Sequence, residues 1–510
     1  AQTPSPTQER DMHVYSAAIG VIGKAYSACQ NHGSKSSIMR QFAYISTNHQ
    51  FEYELDVNPY VMGVYDALLE IGVSPKIIRG QSEHKVTRTS VAKYRAFDPD
   101  DKFIIEVTQW MIDFVPVSKF DKFLYLLIFL CQAMSAKIKP LWLLNIFGGG
   151  QNGKSTIIFL MTIALGLVTD GGYGYKMSVD YLTQPRMNSS AAQSELMPLA
   201  HARATFFSEP SATQCYNENK LKTLLDGGAM AGRELFGREQ NIVPKSIFIV
   251  CSNPKAKMES GIPGKTRKYA YDHGTLRRVR LFEAECKFCA NPDENNEKHR
   301  KANTKIQDEL IYDKNYQGGF LSLLSIVYGL FMTMHNEDMM FICSPNVEKE
   351  TDEWRRSFDT IEAYINAMCV VNERAECRLD DMITSYISWH DKLYGALNHD
   401  RDAILGAFSG PTCKISQKYI KTRGNTYWVE GIRILSDSAD TLAEGERRFM
   451  KSDEYDFKTY QDYQLPKDMQ LPFCGRLEPT RDARTFLHAL AKLHAEEVAR
   501  VQVQSDQSAA

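Results

Sequence analysis

The sequence predicts an α/β protein built on a parallel sheet, and three stretches predict it. The apolar run Leu141–Phe147 leads into Gly148-Gly149-Gly150-Gln151-Asn152-Gly153-Lys154-Ser155-Thr156, and a second apolar run, Ile157–Met161, follows. That order is strand, glycine-rich turn, helix start. Arg203–Phe207, closed by Ser208-Glu209, reads as a second buried strand, and Ser246–Ser252, closed by Asn253-Pro254, as a third.

The first stretch has the spacing and flanks of a phosphate-binding loop. Glycines let the backbone curl with its N–H groups turned towards phosphate oxygens, and the helix start adds its positive end. Gly148, Gly149, Gly150, Gln151, Asn152, Gly153, Lys154, Ser155 and Thr156 are therefore the candidate nucleotide-binding residues. Lys154 is placed to reach the β- and γ-phosphates of ATP, and Ser155 to put its hydroxyl on Mg²⁺. Such a site needs an acid at a neighbouring strand end, to hold Mg²⁺ or polarise the attacking water. The usual acid pair is reduced here to Ser208-Glu209, which leaves Glu209 to carry both the catalytic and the metal role. Asn253 is a candidate for orienting water or sensing the γ-phosphate, or it caps the turn before Pro254. Arg277 and Arg278 suit charge developing on a transferred phosphoryl group, or they form a plain basic turn.

Composition sets the frame. A chain of 510 residues suggests about three domains. Hydrophobic content of 43% and charged content of 24% are ordinary for a globular protein. A net charge of −2 excludes a histone-like binder, so any nucleic-acid surface must be local. Eleven cysteines without framework spacing point to a reducing, intracellular setting. Cys286 and Cys289 are closely spaced, but with only His299 nearby they make a poor zinc set. The apolar runs Phe123–Cys131 and Ile157–Val168 are too short to span a bilayer, so no membrane is expected as a partner. The chain opens at Ala1 without an initiator methionine, as a piece of a longer protein would.

Taken in order, residues 1–100 read as an N-terminal helical and strand domain, with helical periodicity from Met12 to Phe42 and strands and turns from Phe51 to Leu69. Residues 101–137 read as a helical collar, or equally as plain structural core. Residues 138–300 form the nucleotide core. Within it, Arg233–Lys245 reads as a hairpin whose Arg233, Arg238 and Lys245 either touch DNA phosphates in a channel or sit solvated. Residues 301–354 are a helical connection. Residues 355–437 read as helix, helix, short helix and hairpin, with Arg423-Gly424-Asn425 as the turn. Lys421 and Arg423 there, with Lys414, Lys418, Tyr419, Tyr427 and Trp428, mark a DNA-binding winged helix or a subdomain with a solvated basic edge. Residues 438–510 are a linker followed by an amphipathic helix from Arg481 to Gln502.

The order of these motifs carries a family resemblance. Asn152-Gly153-Lys154-Ser155, Ser208-Glu209, Lys222 through Gly228 with Arg233-Glu234-Leu235, Cys251-Ser252-Asn253, and Asp272-His273-Gly274-Thr275-Leu276-Arg277-Arg278 follow one another in a compact stretch. Together they resemble a superfamily III helicase, most closely the poxvirus-type primase–helicase NTPases of nucleocytoplasmic large DNA viruses. The continuation through Lys287-Phe288-Cys289 and Asn291-Pro292 resembles asfarvirus-type relatives. Leu55 through Val64 resembles the signature of the domain before the core, and Glu350-Thr351-Asp352 and Phe358-Asp359-Thr360 resemble the C-terminal extension. The sequence departs from the pattern at Ala229, where the family often has an acid. It shows no paired-Asp primase motif.

The resemblance implies a P-loop AAA+-like helicase core between an N-terminal mostly helical domain and a C-terminal winged-helix-like domain. It implies an ATP-dependent, ring-forming DNA helicase, a hexamer, that moves 3′→5′ on single-stranded or forked DNA during viral genome replication. Arg277 or Arg278 would reach into a neighbour's site, Arg238 is the first choice for a channel contact, and a primase or polymerase of the replisome is a candidate partner. The implied setting is the cytoplasm or nucleus of an infected host cell. Two other classes stay open: an ATP-binding DNA loader or scaffold with weak hydrolysis, and a P-loop phosphotransferase, against which Asn253 and the arginine segment argue.

Overall fold

The structure, a computed structural model, describes residues 55–137, 142–184, 193–211, 214–233, 239–253, 255–258, 278–308, 310–335, 344–356, 360–394, 400–409, 413, 415, 419–424, 426–436, 442–443, 446–448 and 476–509. The helices expected within Met12–Phe42, together with Arg238, Arg277, Lys414 and Lys418, lie outside the described residues. The chain divides into two compact units, Ala1–Val57 and Asn58–Ala510, and all that follows concerns the second.

The unit opens with an antiparallel sheet of β1 (Val61–Val64), β2 (Ala67–Glu70) and β3 (Lys76–Ile78). Helices α1 (Lys102–Asp113) and α2 (Phe120–Cys131) come next. Asp101 caps α1 by accepting from the Phe103 and Ile104 N–H groups. The central segment then alternates β4 (Leu143–Phe147), α3 (Lys154–Leu165), β5 (Gly174–Met177), α4 (Asp180–Thr183), β6 (Ala204–Phe207), α5 (Glu218–Leu225), β7 (Met230–Gly232), β8 (Gln240–Ile242), β9 (Ile247–Ser252) and β10 (Val279–Glu283).

Strands β4, β5, β6, β9 and β10 form one wholly parallel sheet in the order β10-β4-β9-β6-β5. Parallel strands need crossovers that cover both faces, so their sequences are apolar almost throughout. Alternate residues serve opposite faces. Leu144, Ile146, Phe206, Ile247, Ile249 and Phe282 join one core, and Leu143, Phe147, Phe207, Phe248, Val250 and Leu281 join the other.

The chain continues through β11 (Lys287–Cys289), β12 (His299–Lys301), α6 (Thr304–Asp308), α7 (Lys314–His335) and α8 (Pro345–Arg356). The first core gathers α1, α2, α3 and α7 against the sheet, so the helices at 102–131 share one interior with the loop-bearing strand. Among the described residues, α7 is the helix long and apolar enough to cross a membrane; most of that stretch is buried, as the central helix of this core. Gly318 permits its close approach, since a Cβ there would meet the Lys93 carbonyl oxygen at 1.7 Å.

A third core belongs to α9 (Thr360–Met368), β13 (Cys369–Arg378), α10 (Leu379–Tyr394), α11 (Arg401–Ser409), β14 (Ile420–Arg423) and β15 (Thr426–Ile434). With β16 (Arg447–Arg448) they build an antiparallel sheet in the order β14-β15-β13-β16. The hairpin expected around Arg423-Gly424-Asn425 is present, with Gly424 at φ +64°. The strand β13 was not expected between the first two helices. Its outer half, Asn372–Arg378, is half-buried or exposed and charged, which hides the strand pattern. Last comes α12 (Ala483–Ala509), which docks Phe486 edge-on against Phe120 and Phe123 of α2.

Candidate functional site

The loop after β4 has the backbone that its glycines allow. Gly150 and Gly153 lie at φ +94° and +79°, and Gln151 takes the left-handed region at +55°. Lys154 is 7% exposed, and its Nζ donates to the Gly148 carbonyl at 2.7 Å. Burial pushes its pKa down, with Cys251 and Glu209 acting in the opposite sense. Its own carbonyl accepts from Cys251 Sγ at 3.7 Å, and burial pushes that thiol up to about 12. Ser155 is exposed at the helix start.

The sheet order brings the expected partners to this loop. Strand β9 lies between β4 and β6, with Ser252 opposite Phe147 and Val250 opposite Phe207. Parallel strands present their C-terminal ends on one edge, where α/β folds bind ligands. Glu209 follows β6 and Asn253 follows β9 on that edge, and the Asn253 N–H donates to Glu209 Oε1 at 3.1 Å. Both residues are exposed. Behind them a buried polar chain ties the strands: Ser252 Oγ donates to Asn145 Oδ1 at 3.3 Å, and Asn145 Nδ2 to Tyr216 Oη at 3.0 Å. Ser208 faces elsewhere and accepts from the Val179 N–H at 2.9 Å. The exposed Ser155 hydroxyl and Glu209 carboxylate are hard oxygen donors of the type that Mg²⁺ takes, so the residues fit that ion.

The chain after β10 forms the loop's back wall, which sequence reasoning missed. Asn152 Nδ2 donates to the Cys286 carbonyl at 2.9 Å, and the Phe288 N–H donates to the Gln151 carbonyl at 2.8 Å. A Cβ on Gly148 would meet the Ala284 carbonyl oxygen at 2.7 Å. Between these contacts, Glu285 takes Lys119 Nζ and Lys298 Nζ at 2.6 Å each and Lys122 Nζ at 3.4 Å. Desolvation raises the Glu285 pKa, but the three ammonium groups outweigh it and hold the carboxyl at about 2. The nearby cysteine pair drew attention in the sequence for its thiols, whereas it is the Cys286 main chain that holds the loop. Among the described residues no three His, Cys, Asp or Glu side chains cluster as a metal site.

Arg278 stands apart. It precedes Val279, which pairs with Leu143 at the start of β4. About five residues of strand, roughly 17 Å, separate it from the loop edge. It donates to the Leu225 carbonyl and pairs with Asp226 Oδ1 at 2.5 Å. The structure therefore does not bring Arg278 to the loop of its own chain.

The hairpin expected at Arg233–Lys245 has its arms at β7 and β8, with Met230 opposite Ile242 and Gly232 opposite Gln240. Arg233 is exposed at the start of its turn, and Lys245 is half-buried beyond the second arm. In the C-terminal sheet, Lys421 is exposed opposite Trp428. Arg423 is engaged by Glu376 at 2.9 Å and by Glu430, and its guanidinium lies 5.0 Å from the Trp428 ring centre. The positive charge expected at this edge is thus partly balanced within the module.

The five-stranded parallel sheet thus gathers a lysine, a carboxylate and an asparagine beside a glycine loop, as an α/β fold with its ligand edge at the strand ends would. Relatives by sequence carry the names of a viral primase and a viral helicase. The chain is 26% identical over 445 residues to primase C962R of African swine fever virus, covering 86% of this chain and 44% of the relative. It is 23% identical over 420 residues to helicase L207/L206 of Acanthamoeba polyphaga mimivirus, covering 80% of this chain and 39% of the relative. The chain thus spans less than half the length of these relatives. No family model matches it. A solved structure of the NrS-1 C-terminal region aligns over 75% of this chain and 98% of its own, at 10% identity and a TM-score of 0.32, too slight a likeness to bear on the fold.

Proposed function

We propose that this chain is the motor segment of a viral primase–helicase: a P-loop ATPase of superfamily III with an AAA+-like core, unwinding DNA during viral genome replication inside infected cells. The observation that carries the proposal is the meeting of Lys154, Glu209 and Asn253 at one sheet edge, with the glycine loop held from behind by the chain after β10. Lys154 leaves the Gly148 carbonyl to engage the β- and γ-phosphates of ATP, and the loop N–H groups hold the remaining oxygens. Ser155 and, directly or through water, Glu209 would hold Mg²⁺, which would supply positive charge against that developing on the phosphates. Glu209 accepts the proton of the attacking water, and Asn253 orients that water.

Arg278, with Arg277, acts on the site of a second copy of the chain. Its place at the far edge of the sheet supports that division of labour and hence a ring, proposed as a hexamer. Arg233, Arg238 and Lys245 of the β7–β8 hairpin face DNA in the ring channel. The winged-helix-like module from α9 to β15 adds Lys421 and Arg423 as a second contact, and a replisome primase or polymerase is the proposed neighbour. The test is displacement of a labelled strand from forks carrying a single 3′ or a single 5′ tail. Unwinding of the 3′-tailed fork with ATP and Mg²⁺ is expected; unwinding of neither overturns the proposal.

A second reading has one observation in its favour. The position beside Glu209 is Ser208, bonded to the main chain of Val179, so a lone acid serves the metal and the water. On that reading the chain is an ATP-dependent DNA loader with weak hydrolysis, which shows DNA-retained ATP binding without strand displacement.

A further inference from the structure

A cavity of about 470 Å³ opens beside the glycine loop, between α1, the loop itself and the segment from Lys301 to Ile306. Gln151, Gly153 and Thr156 form its loop side. Glu209 and Asn253 do not line it, so the cavity is separate from the proposed water-activating acid. Its volume falls in the range of about 300–1,000 Å³ usual for small-molecule sites. Trp110 and Phe288 line it, as does the fully buried Tyr316, whose hydroxyl makes no hydrogen bond among the described residues.

Its most specific feature is Asp113. Arg300 Nε lies 3.5 Å from Asp113 Oδ1, and Gln109 Nε2 donates to the same oxygen at 3.3 Å. Arg300 is itself fixed by donating to the Val115 carbonyl at 3.1 Å. Among the described residues, Oδ2 has no hydrogen bond. Gln109 is fully committed, giving to Arg481 O and Asp113 and accepting from the Ala483 N–H. An oriented acceptor with one unused oxygen, set in an aromatic-walled cavity beside a phosphate loop, suits one edge of a nucleobase.

We infer that this cavity is the nucleobase subsite of the proposed nucleotide site, and that Asp113 selects bases carrying an exocyclic amine at the six-position, as adenine does. The inference rests on the loop holding the phosphates. The base stacks against Phe288 and Trp110, and its amine donates to Asp113 Oδ2. Guanine stacked in the same orientation sets its six-keto oxygen against the carboxylate, acceptor against acceptor, and loses that hydrogen bond.

The test is calorimetric titration of the full chain with ATP, GTP and inorganic tripolyphosphate, repeated with Asp113→Asn, Phe288→Leu and Lys154→Ala. ATP is expected to bind at least about tenfold tighter than GTP, the worth of one charge-assisted hydrogen bond. Asp113→Asn is expected to abolish that preference while leaving tripolyphosphate affinity unchanged. Phe288→Leu is expected to weaken both nucleotides alike. Equal affinity for ATP and GTP in the unaltered chain, or undiminished preference in Asp113→Asn, overturns the subsite while the loop reading stands. Unchanged binding of ATP and tripolyphosphate in Lys154→Ala removes the loop reading, and the subsite with it.

Discussion

The main-chain N–H of Asn253 holds Glu209 Oε1 at 3.1 Å, which ties the ends of two adjacent parallel strands beside the Lys154 loop. One carboxylate oxygen is committed by this bond and the other makes no hydrogen bond among the described residues, so the acid is oriented by backbone and its second oxygen is left for chemistry. Glu209→Gln keeps the acceptor for Asn253 and removes the base. ATP turnover should fall by about 10²–10⁴, the usual worth of a general base, with nucleotide affinity retained. Phosphate release and nucleotide titration on the same sample check this; a normal rate moves the role elsewhere.

Arg278 lies at the sheet edge remote from its own loop, so its proposed target is a second copy. Arg278→Ala and Lys154→Ala should each be inactive alone. Mixed in equal amounts before assembly they should regain part of the ATPase activity, because some sites then pair an intact loop with an intact arginine. If the mixture stays as inactive as its components, the arginine does not act between chains.

Glu285 ties three lysines behind the loop, and its carboxyl is held at about 2 against an ordinary 4.5. A depressed folded pKa contributes stability above the ordinary value, lost as pH falls towards the folded one. Glu285→Gln leaves Lys119 and Lys298 without their counter-charge, while Lys122 keeps its pair with Glu350, and should cost about 3 kcal/mol at neutral pH, as for a broken buried ion pair. That deficit should shrink from about pH 4.5 downwards, as the unaltered chain loses the same contribution. Urea unfolding of both chains at neutral and acid pH measures it; a pH-independent difference contradicts the assignment.

Gly148 faces the Ala284 carbonyl oxygen, where a Cβ would come within 2.7 Å. Because that atom is backbone, it cannot swing aside. Gly148→Ala should destabilise the fold by about 1–3 kcal/mol, an overpacking cost, and weaken ATP binding. Thermal unfolding with and without ATP separates the two effects; an unaltered chain in both respects shows that the back wall does not position the loop.

Much of this site was legible because its signals are local. A glycine loop between apolar runs needs its φ > 0 positions, and Gly150 and Gly153 supply them. Glu209 and Asn253 were legible because each closes a short apolar strand, and strand ends of a parallel sheet share an edge. The back wall was not, since the contacts of Asn152 with Cys286 and of Gln151 with Phe288 run through main-chain atoms that no side-chain pattern records. The cavity at Asp113 was hidden for another reason: its walls come from α1 and from residues 301–306, far apart in sequence. Strand β13 escaped because half of it is charged and exposed.

The most direct test is ATP hydrolysis by the purified chain, with and without single-stranded DNA, alongside its Lys154→Ala variant. The account predicts Mg²⁺-dependent turnover that DNA stimulates and that Lys154→Ala abolishes while the variant still folds. Turnover that survives in Lys154→Ala would contradict it.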